Sequence, residues 1–294
     1  MSPSRAALVE HAPAKINLTL HVLGRRADGY HTLESLVVFA SVHDLLTLRP
    51  GGEARLTVRG GNVAAIGPAA DNLVLRAAAR LAEETGKLKL GHFTLHKRLP
   101  VAAGIGGGSA DAAAALRLLA RANRLSLRDR RLFKVAGMVG ADVPVCLDPR
   151  PRLMRGVGEI LSDPVAAPRL PAVLVNPGVA VATKDVFGIL NLPKGRGGRS
   201  RSGKREKVPR DRRAFVDFVA RGRNDLEPPA IKLAPVIATV LGALRKADGC
   251  QLARMSGSGA TCFGLFASAR AAAAAARSIK KTHPSWWVRA TVLG

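Results

Sequence analysis

The sequence predicts an α+β fold, and three observations predict it. Strand-like and helix-like segments alternate at both ends of the chain. Four glycines within five residues, Gly104 to Gly108, separate a strand from a strongly helical stretch. A proline-rich crossover beginning near Ser162 divides one such series from a second, so two domains with a cleft between them are expected.

In chain order, Val9 to Leu23 and Leu33 to Leu48 are rich in strand formers, and Arg55 to Val58 is a short strand. Asn72 to Glu84 is a helix entered through Asp71, a side chain suited to an N-cap. His92 to His96 alternates polar and apolar as a half-buried strand does, and Ala112 to Ala122 is an Ala/Leu/Arg run of high helix propensity. Leu127 to Val139 is a further helical pattern ended by Gly140, after which Val143 to Leu147 is predicted to return to strand. These segments, residues 1–162, form the expected first domain.

The second domain is expected over residues 163–294. Ala172 to Asn176 is a short buried strand, and Lys184 to Leu190 a helix. The segment 194–213 is rich in Gly, Ser and basic residues, with too little apolar surface to offset its ordering entropy, and is expected to be a mobile insert. Ala214 to Ala220 and Ile231 to Lys246 read as helices, the latter with Pro235 at a start or kink. Leu252 and Cys262 to Phe266 lie in strands on either side of a Ser-Gly-Ser-Gly turn, Ala269 to Lys281 is an alanine helix, and Trp286 to Leu293 is a last strand.

Composition limits what such a chain does. At 294 residues with 47% hydrophobic content it can bury a substantial core. The net charge of +25 is the outlier and points to nucleic acid, an anionic surface or phosphorylated small molecules. Ten Lys/Arg fall in the 194–213 segment against Glu206 and Asp211, so the charge is unevenly spread. Aromatic residues make up only 4%, too few for the stacking platforms of a single-strand binder, which argues against nucleic acid as partner. Cys146, Cys250 and Cys262 lack the spacing of a metal site or a disulfide framework. No stretch of 18 apolar residues and no sustained apolar N-terminus occurs, so a cytoplasmic enzyme without membrane contact is expected.

Pro100-Val101-Ala102-Ala103-Gly104-Ile105-Gly106-Gly107-Gly108-Ser109-Ala110 is the segment that carries chemistry. Glycine lets the backbone approach an anion without Cβ obstruction, and the N–H groups at the following helix start point at that anion. The P-loop lysine is absent, a dinucleotide fingerprint would need glycine where Ser109 stands, and no His-Arg-Asp or Asp-Phe-Gly triplet follows.

With its flanks, this loop resembles the phosphate-binding motif of the GHMP kinases. Ala12-Pro13-Ala14-Lys15-Ile16-Asn17-Leu18 and Met255-Ser256-Gly257-Ser258-Gly259-Ala260-Thr261-Cys262-Phe263 are similar to that family's first and third motifs, in the right order. The resemblance implies the two-domain GHMP-kinase architecture with its active site in the cleft between domains, ATP as phosphate donor, and Mg²⁺. Asp28-Gly29-Tyr30-His31-Thr32-Leu33, Gly140-Ala141-Asp142-Val143-Pro144, Gly156-Val157-Gly158-Glu159 and Asn176-Pro177-Gly178 resemble one branch. Its acceptor is the tertiary 2-hydroxyl of a cytidine-diphosphate-linked methylerythritol, in non-mevalonate isoprenoid precursor synthesis. Another GHMP small-molecule kinase, homoserine kinase-like, is the alternative, and a basic nucleic-acid-binding protein the reading from outside the class.

The residues then take expected roles. Phosphoryl transfer needs charge neutralisation, an aligned hydroxyl and a proton acceptor. By resemblance Asp142 is the base, with a surface-turn carboxylate as the bland alternative. Alternation along the first strand puts Lys15, Asn17 and Thr19 on one polar face, either solvated or lining the site, where Lys15 would stabilise the phosphoryl group. By resemblance Tyr30 stacks on the cytosine, His31 hydrogen-bonds it, and Phe187 closes its other side. Lys97 is a nucleotide-side cation or an exposed strand-end lysine. Asp111 is placed in the first helical turn, and Ser109 on the metal or phosphate side. Ala110 departs from a familiar Gly-Gly-Gly-Ser-Ser form of the loop, removing one hydroxyl but no backbone donor. Oligomeric state and metal ligands are not legible.

Overall fold

A computed structural model describes residues 7–61, 72–195 and 207–294. The strands β1 (Leu8–Asn17), β2 (His21–Arg25), β3 (His31–Pro50) and β4 (Arg55–Gly60) come first, then α1 (Leu73–Thr85), β5 (Gly91–Lys97), α2 (Gly107–Ala122), α3 (Arg130–Val139) and α4 (Val143–Leu147). β6 (Arg152–Gly156), β7 (Ile160–Leu161) and β8 (Leu170–Asn176) follow. They precede α5 (Thr183–Leu190), α6 (Arg212–Arg221), α7 (Glu227–Leu233) and α8 (Val236–Arg245), and β9 (Cys250–Met255), β10 (Cys262–Phe266), α9 (Ala269–Thr282) and β11 (Trp287–Leu293) complete the series.

Two compact units interleave along the chain rather than meeting at a single boundary near residue 162. One comprises Met1–Ala14, His43–Val101 and Gly106–Pro149; the other comprises Lys15–Val42, Ala102–Ile105 and Arg150–Gly294. The long strands β1 and β3 each contribute to both, which a division by sequence order cannot represent.

In the first unit, β5 pairs antiparallel with the later part of β3, from Leu45 opposite His96 to Pro50 opposite Gly91, and parallel with β4. A parallel pair needs a crossover, and α1 lies in it. Helix α1 buries Val74, Ala77, Ala78 and Leu81, and α3 buries Leu132, Val135, Ala136 and Val139, each a stripe at i, i+3, i+4 and i+7. Helix α2 is different, being buried from Ala110 to Ala120 on every side. Its alanines let neighbouring elements approach closely, and this helix begins within the glycine run, at Gly107.

In the second unit, β8 is flanked antiparallel by β11 and β10, and β10 by β9. The early part of β3 pairs with β2 and β6. Val173, Val175, Ile237, Val240, Leu241, Leu244, Phe266, Ile279 and Val288 form its apolar core. Each such side chain contributes about 1.5–3 kcal/mol when fully buried, more than an exposed ion pair supplies.

Several expectations are corrected. Val143 to Leu147 is a helix, not a strand: Pro144 in the first turn fixes a helical φ, and all five residues are buried, so the apolar run carried no period to read. Helix α2 starts at Gly107, five residues before the alanine run, which puts Asp111 beyond the first turn. Ile231 to Lys246 is split at Ala234-Pro235 into α7 and α8, because proline cannot donate within a helix. Strands β6 and β7 were not anticipated. Asn72, rather than Asp71, caps α1 by accepting a bond from the Val74 N–H at 3.0 Å; Asp71 lies outside the described residues, as does 196–206 of the basic segment.

Candidate active site

The glycine loop is built from both ends. Its middle, Ala102–Ile105, belongs to the second unit, where the Lys15 N–H donates to Ile105 O at 2.9 Å and the Thr261 N–H to Ala103 O at 3.2 Å. The Ser256 hydroxyl donates to Gly104 O at 3.2 Å and accepts from the Asn17 N–H at 3.1 Å. Gly104 has φ +71, and a Cβ there would lie 2.5 Å from Gly259 O and 2.7 Å from Ser256 O, so only glycine fits. Ala102 is exposed and Ala103 and Ile105 are buried.

The Ser256-to-Thr261 turn is held in the same unit by the side chains of two asparagines. Asn224 Nδ2 donates to Met255 O and Gly257 O, at 2.8 and 2.9 Å, and Asn176 Nδ2 donates to the Thr261 hydroxyl at 2.9 Å. Asn17 Nδ2 donates to the Ser35 hydroxyl at 2.7 Å, while its Oδ1 is buried with no hydrogen-bond partner among the described residues.

From Gly106 the loop enters the first unit. Gly106 is the N-cap of α2 at φ +62 and supplies no side chain to cap it. The first helical bond runs from the Ala110 N–H to Gly106 O at 2.8 Å, so the N–H groups of Gly107, Gly108 and Ser109 precede the intrahelical ladder. A helix start in that state, with its partial positive charge, suits phosphate. Ser109 is partly exposed there, Ala110 is buried, and Pro100 and Val101 lead in from β5, Val101 exposed.

Lys97 is neither an exposed strand-end lysine nor an open cation. It is buried, with Nζ donating to Asp44 Oδ2 at 2.5 Å and to Asp111 Oδ2 at 2.8 Å. Burial alone would lower the Lys97 pKa, but the carboxylates of Asp111 and Asp44 together raise it. Asp111 is raised to about 7, chiefly by burial, against the opposing charge of Lys97. One ammonium facing two carboxylates leaves one negative charge in excess, which adds to burial in disfavouring the charged form of Asp111, whose Oδ1 is buried without a hydrogen bond among the described residues.

Asp142 is the N-cap residue of α4, partly exposed, and its carboxylate does not cap the helix. Arg117 of α2 ties α4 to β1: it is buried, bonded to Glu10, and donates to Cys146 O and His11 O at 2.8 and 2.7 Å. Lys15, Asn17 and Thr19 are only 4%, 1% and 8% exposed, so the solvated-face reading fails. Ile16 and Leu18 are buried too, which is why alternation alone could not identify the site face.

Tyr30 is 65% exposed at a turn in which its N–H donates to Asp28 Oδ1 at 3.1 Å. His31 stacks on Phe187 of α5, ring centroids 4.5 Å apart and 20° from parallel. Burial, with the Arg25 charge, holds the His31 pKa below its ordinary value, and Nε2 is buried without a hydrogen bond among the described residues. A neutral imidazole with one uncommitted nitrogen results. Among the described residues no group of three or more His, Cys, Asp or Glu is placed to hold a metal, and no helix is long and apolar enough to cross a membrane.

Sequence reasoning missed Asp44, Ser35, Arg117 and Asn224. Asp44 carried a signal, a carboxylate within an apolar strand, which must find a partner when buried. The others show themselves only through contacts distant in sequence.

The fold and this loop define a small-molecule kinase of known type. The family description "GHMP kinases N terminal domain" matches residues 72–148, and "GHMP kinases C terminal" matches residues 210–285. The chain belongs to the GHMP kinase family. It is 57% identical over 298 residues, 98% of this chain and 95% of the relative, to a 4-diphosphocytidyl-2-C-methyl-D-erythritol kinase of Rhodopseudomonas palustris (strain BisB18). A crystal structure of 4-(cytidine 5'-diphospho)-2C-methyl-D-erythritol kinase superimposes with TM-score 0.77 at 34% identity, covering 98% of this chain and 99% of the other. Homoserine kinase from Cytophaga hutchinsonii, at 20% identity and TM-score 0.70 over 99% and 96% of the two chains, shares the fold.

Proposed function

We propose that the chain transfers the γ-phosphoryl group of ATP to the 2-hydroxyl of 4-diphosphocytidyl-2-C-methyl-D-erythritol, a cytoplasmic step of isoprenoid precursor synthesis. The observation that carries this reading is the 57% identity, over nearly the full length of both chains, to a relative of that name. The bond from the γ-phosphorus to the acceptor oxygen forms, the bond to the β-phosphate oxygen breaks, and ADP leaves.

Asp142 is assigned as the base that takes the hydroxyl proton, supported by its partial exposure at the start of α4 and by its place in Gly140-Ala141-Asp142-Val143-Pro144. Lys15 is assigned to stabilise the transferring phosphoryl group. The N–H groups of Gly107, Gly108 and Ser109, at an N-terminus with no side-chain cap, are assigned to the ATP phosphates. Tyr30, His31, Phe187 and Asn17 are assigned to the acceptor. The neutral, uncommitted His31 Nε2 suits a hydrogen bond to a nucleobase edge, and the His31–Phe187 stack supplies an aromatic wall.

A magnesium ion is assigned to arrive on the nucleotide, because Mg²⁺ is commonly held by substrate phosphates and water with few protein ligands. Ser109 is the protein oxygen assigned to it. When bound, the ion neutralises charge on the β- and γ-phosphoryl oxygens.

The test is ADP release by the purified chain with ATP and the cytidyl acceptor, with homoserine and mevalonate as controls. Turnover of the cytidyl acceptor alone is expected. Preference for homoserine would replace this reading with the homoserine kinase-like one.

A further inference from the structure

Lys97, Asp44 and Asp111 form a closed group beneath the start of α2. Asp44 lies in β3 and is fully buried. Its Oδ1 accepts from the Arg98 and Leu99 N–H groups at 2.5 and 2.9 Å, and its Oδ2 accepts from Lys97. One carboxylate therefore clamps the backbone where β5 gives way to the glycine loop. Lys97 carries the connection onward to Asp111, one turn into α2. Its ammonium lies 3.6 Å from the position a Cβ on Gly107 would occupy, directly under the helix start.

Asp44 and Asp111 thus bracket the N–H groups assigned to phosphate, one fixing the entry of the loop and the other the helix it opens. We infer that Asp44, Lys97 and Asp111 are positioning residues for the phosphate-binding N-terminus of α2, acting as one unit and without touching the nucleotide. Lys97 does not contact ATP as the sequence suggests; both its carboxylate partners are already in place, and its side chain is only 6% exposed. The physical reason for such a strut lies in the glycines. Gly106, Gly107 and Gly108 have no side chains to hold themselves in one conformation, so backbone donors aimed at an anion must be fixed by what surrounds them.

This inference rests on the ATP role assigned to the loop, and the experiment separates the two. ATP binding is measured by titration calorimetry on the purified chain without acceptor, with the melting temperature of each variant recorded alongside. Asp111→Ala is the informative variant because it leaves Lys97 paired one-to-one with Asp44, so no buried charge is stranded and the chain should fold. Its Kd for ATP is expected to rise roughly tenfold, the scale set by small misplacements of binding groups. Asp111→Asn retains an acceptor oxygen for Lys97 and is expected to return to within about threefold of the parent. Steady-state KM for the cytidyl acceptor should stay within about twofold in both, which a general loss of structure would not produce. Should Asp111→Ala bind ATP as the parent does, whether or not its melting temperature falls, the positioning role is overturned. Should the parent itself fail to bind ATP, the ATP assignment of the loop fails instead, and this inference with it.

Discussion

At the residue scale, the sharpest expectation concerns Asp142. Asp142→Asn should leave the fold and ATP binding intact and lower kcat by roughly 10² to 10⁴, the contribution of a positioned general base. Lys15→Ala should also lower kcat, and the double variant should lose less than the product of the single losses if the two act together in the transition state. Wild-type turnover by Asp142→Asn would remove it from the mechanism. On the acceptor side, Tyr30→Ala and His31→Ala should each cost about 1–3 kcal/mol, read mainly as a rise in KM for the cytidyl substrate with ATP affinity unchanged. His31 adds a pH dependence. Burial depresses its folded pKa below the ordinary 6.5, so on acidification the unfolded chain takes the proton first, and the associated stability, present above that value, is lost as pH falls through the folded pKa. KM for the cytidyl substrate should therefore be flat from neutral pH upward and rise only below the folded pKa, and His31→Gln should abolish that rise. Steady-state kinetics across pH would decide it. Short motifs single these residues out in the sequence. Asp44 and Asn224 belong to no such motif, since what gives them meaning is a partner tens of positions away.

At the element scale, the glycine loop and the Ser256-to-Thr261 turn stand or fall together. Gly104→Ala would add a Cβ 2.5 Å from Gly259 O at a positive φ, and Gly257→Ala one 2.6 Å from Gly104 O at φ +56. Each should destabilise the chain by at least about 1–3 kcal/mol, the cost of local backbone strain, measured by urea unfolding. Gly178→Ala, at positive φ but with nothing within 4 Å of its Cβ, is the control and should cost less. Elements with a clear period, such as α1, α3 and β5, could be read from the sequence. Helix α4 could not, because five consecutive buried residues show neither alternation nor a helical stripe. The start of α2 was misjudged for the opposite reason: its first two residues are glycines, poor helix formers that give no helical signal in the sequence. The basic segment carries no motif residue, so replacing Gly195 to Lys207 with a short Gly-Ser link should leave kcat and both KM values unchanged. A loss of activity would make it part of the site.

At the scale of the whole molecule, the α+β class and the GHMP family were readable from three motifs in order, whereas the interleaving of two units was not. Strands β1 and β3 each pass from one unit to the other, and a linear reading assigns a strand to one side only. The net charge of +25 suits a chain whose two substrates are polyphosphates, and its attraction for them should weaken with salt without loss of selectivity between acceptors. The central claim is a transfer to one hydroxyl of one cytidylated acceptor. It is tested most directly by phosphorus and proton NMR of the product formed from ATP and 4-diphosphocytidyl-2-C-methyl-D-erythritol, run beside methylerythritol phosphate lacking the cytidyl group. The account predicts one new phosphomonoester on the 2-hydroxyl, formed with one ADP per acceptor, and no comparable product from the uncytidylated compound. Phosphate on another hydroxyl, or equal turnover of the uncytidylated compound, would contradict it.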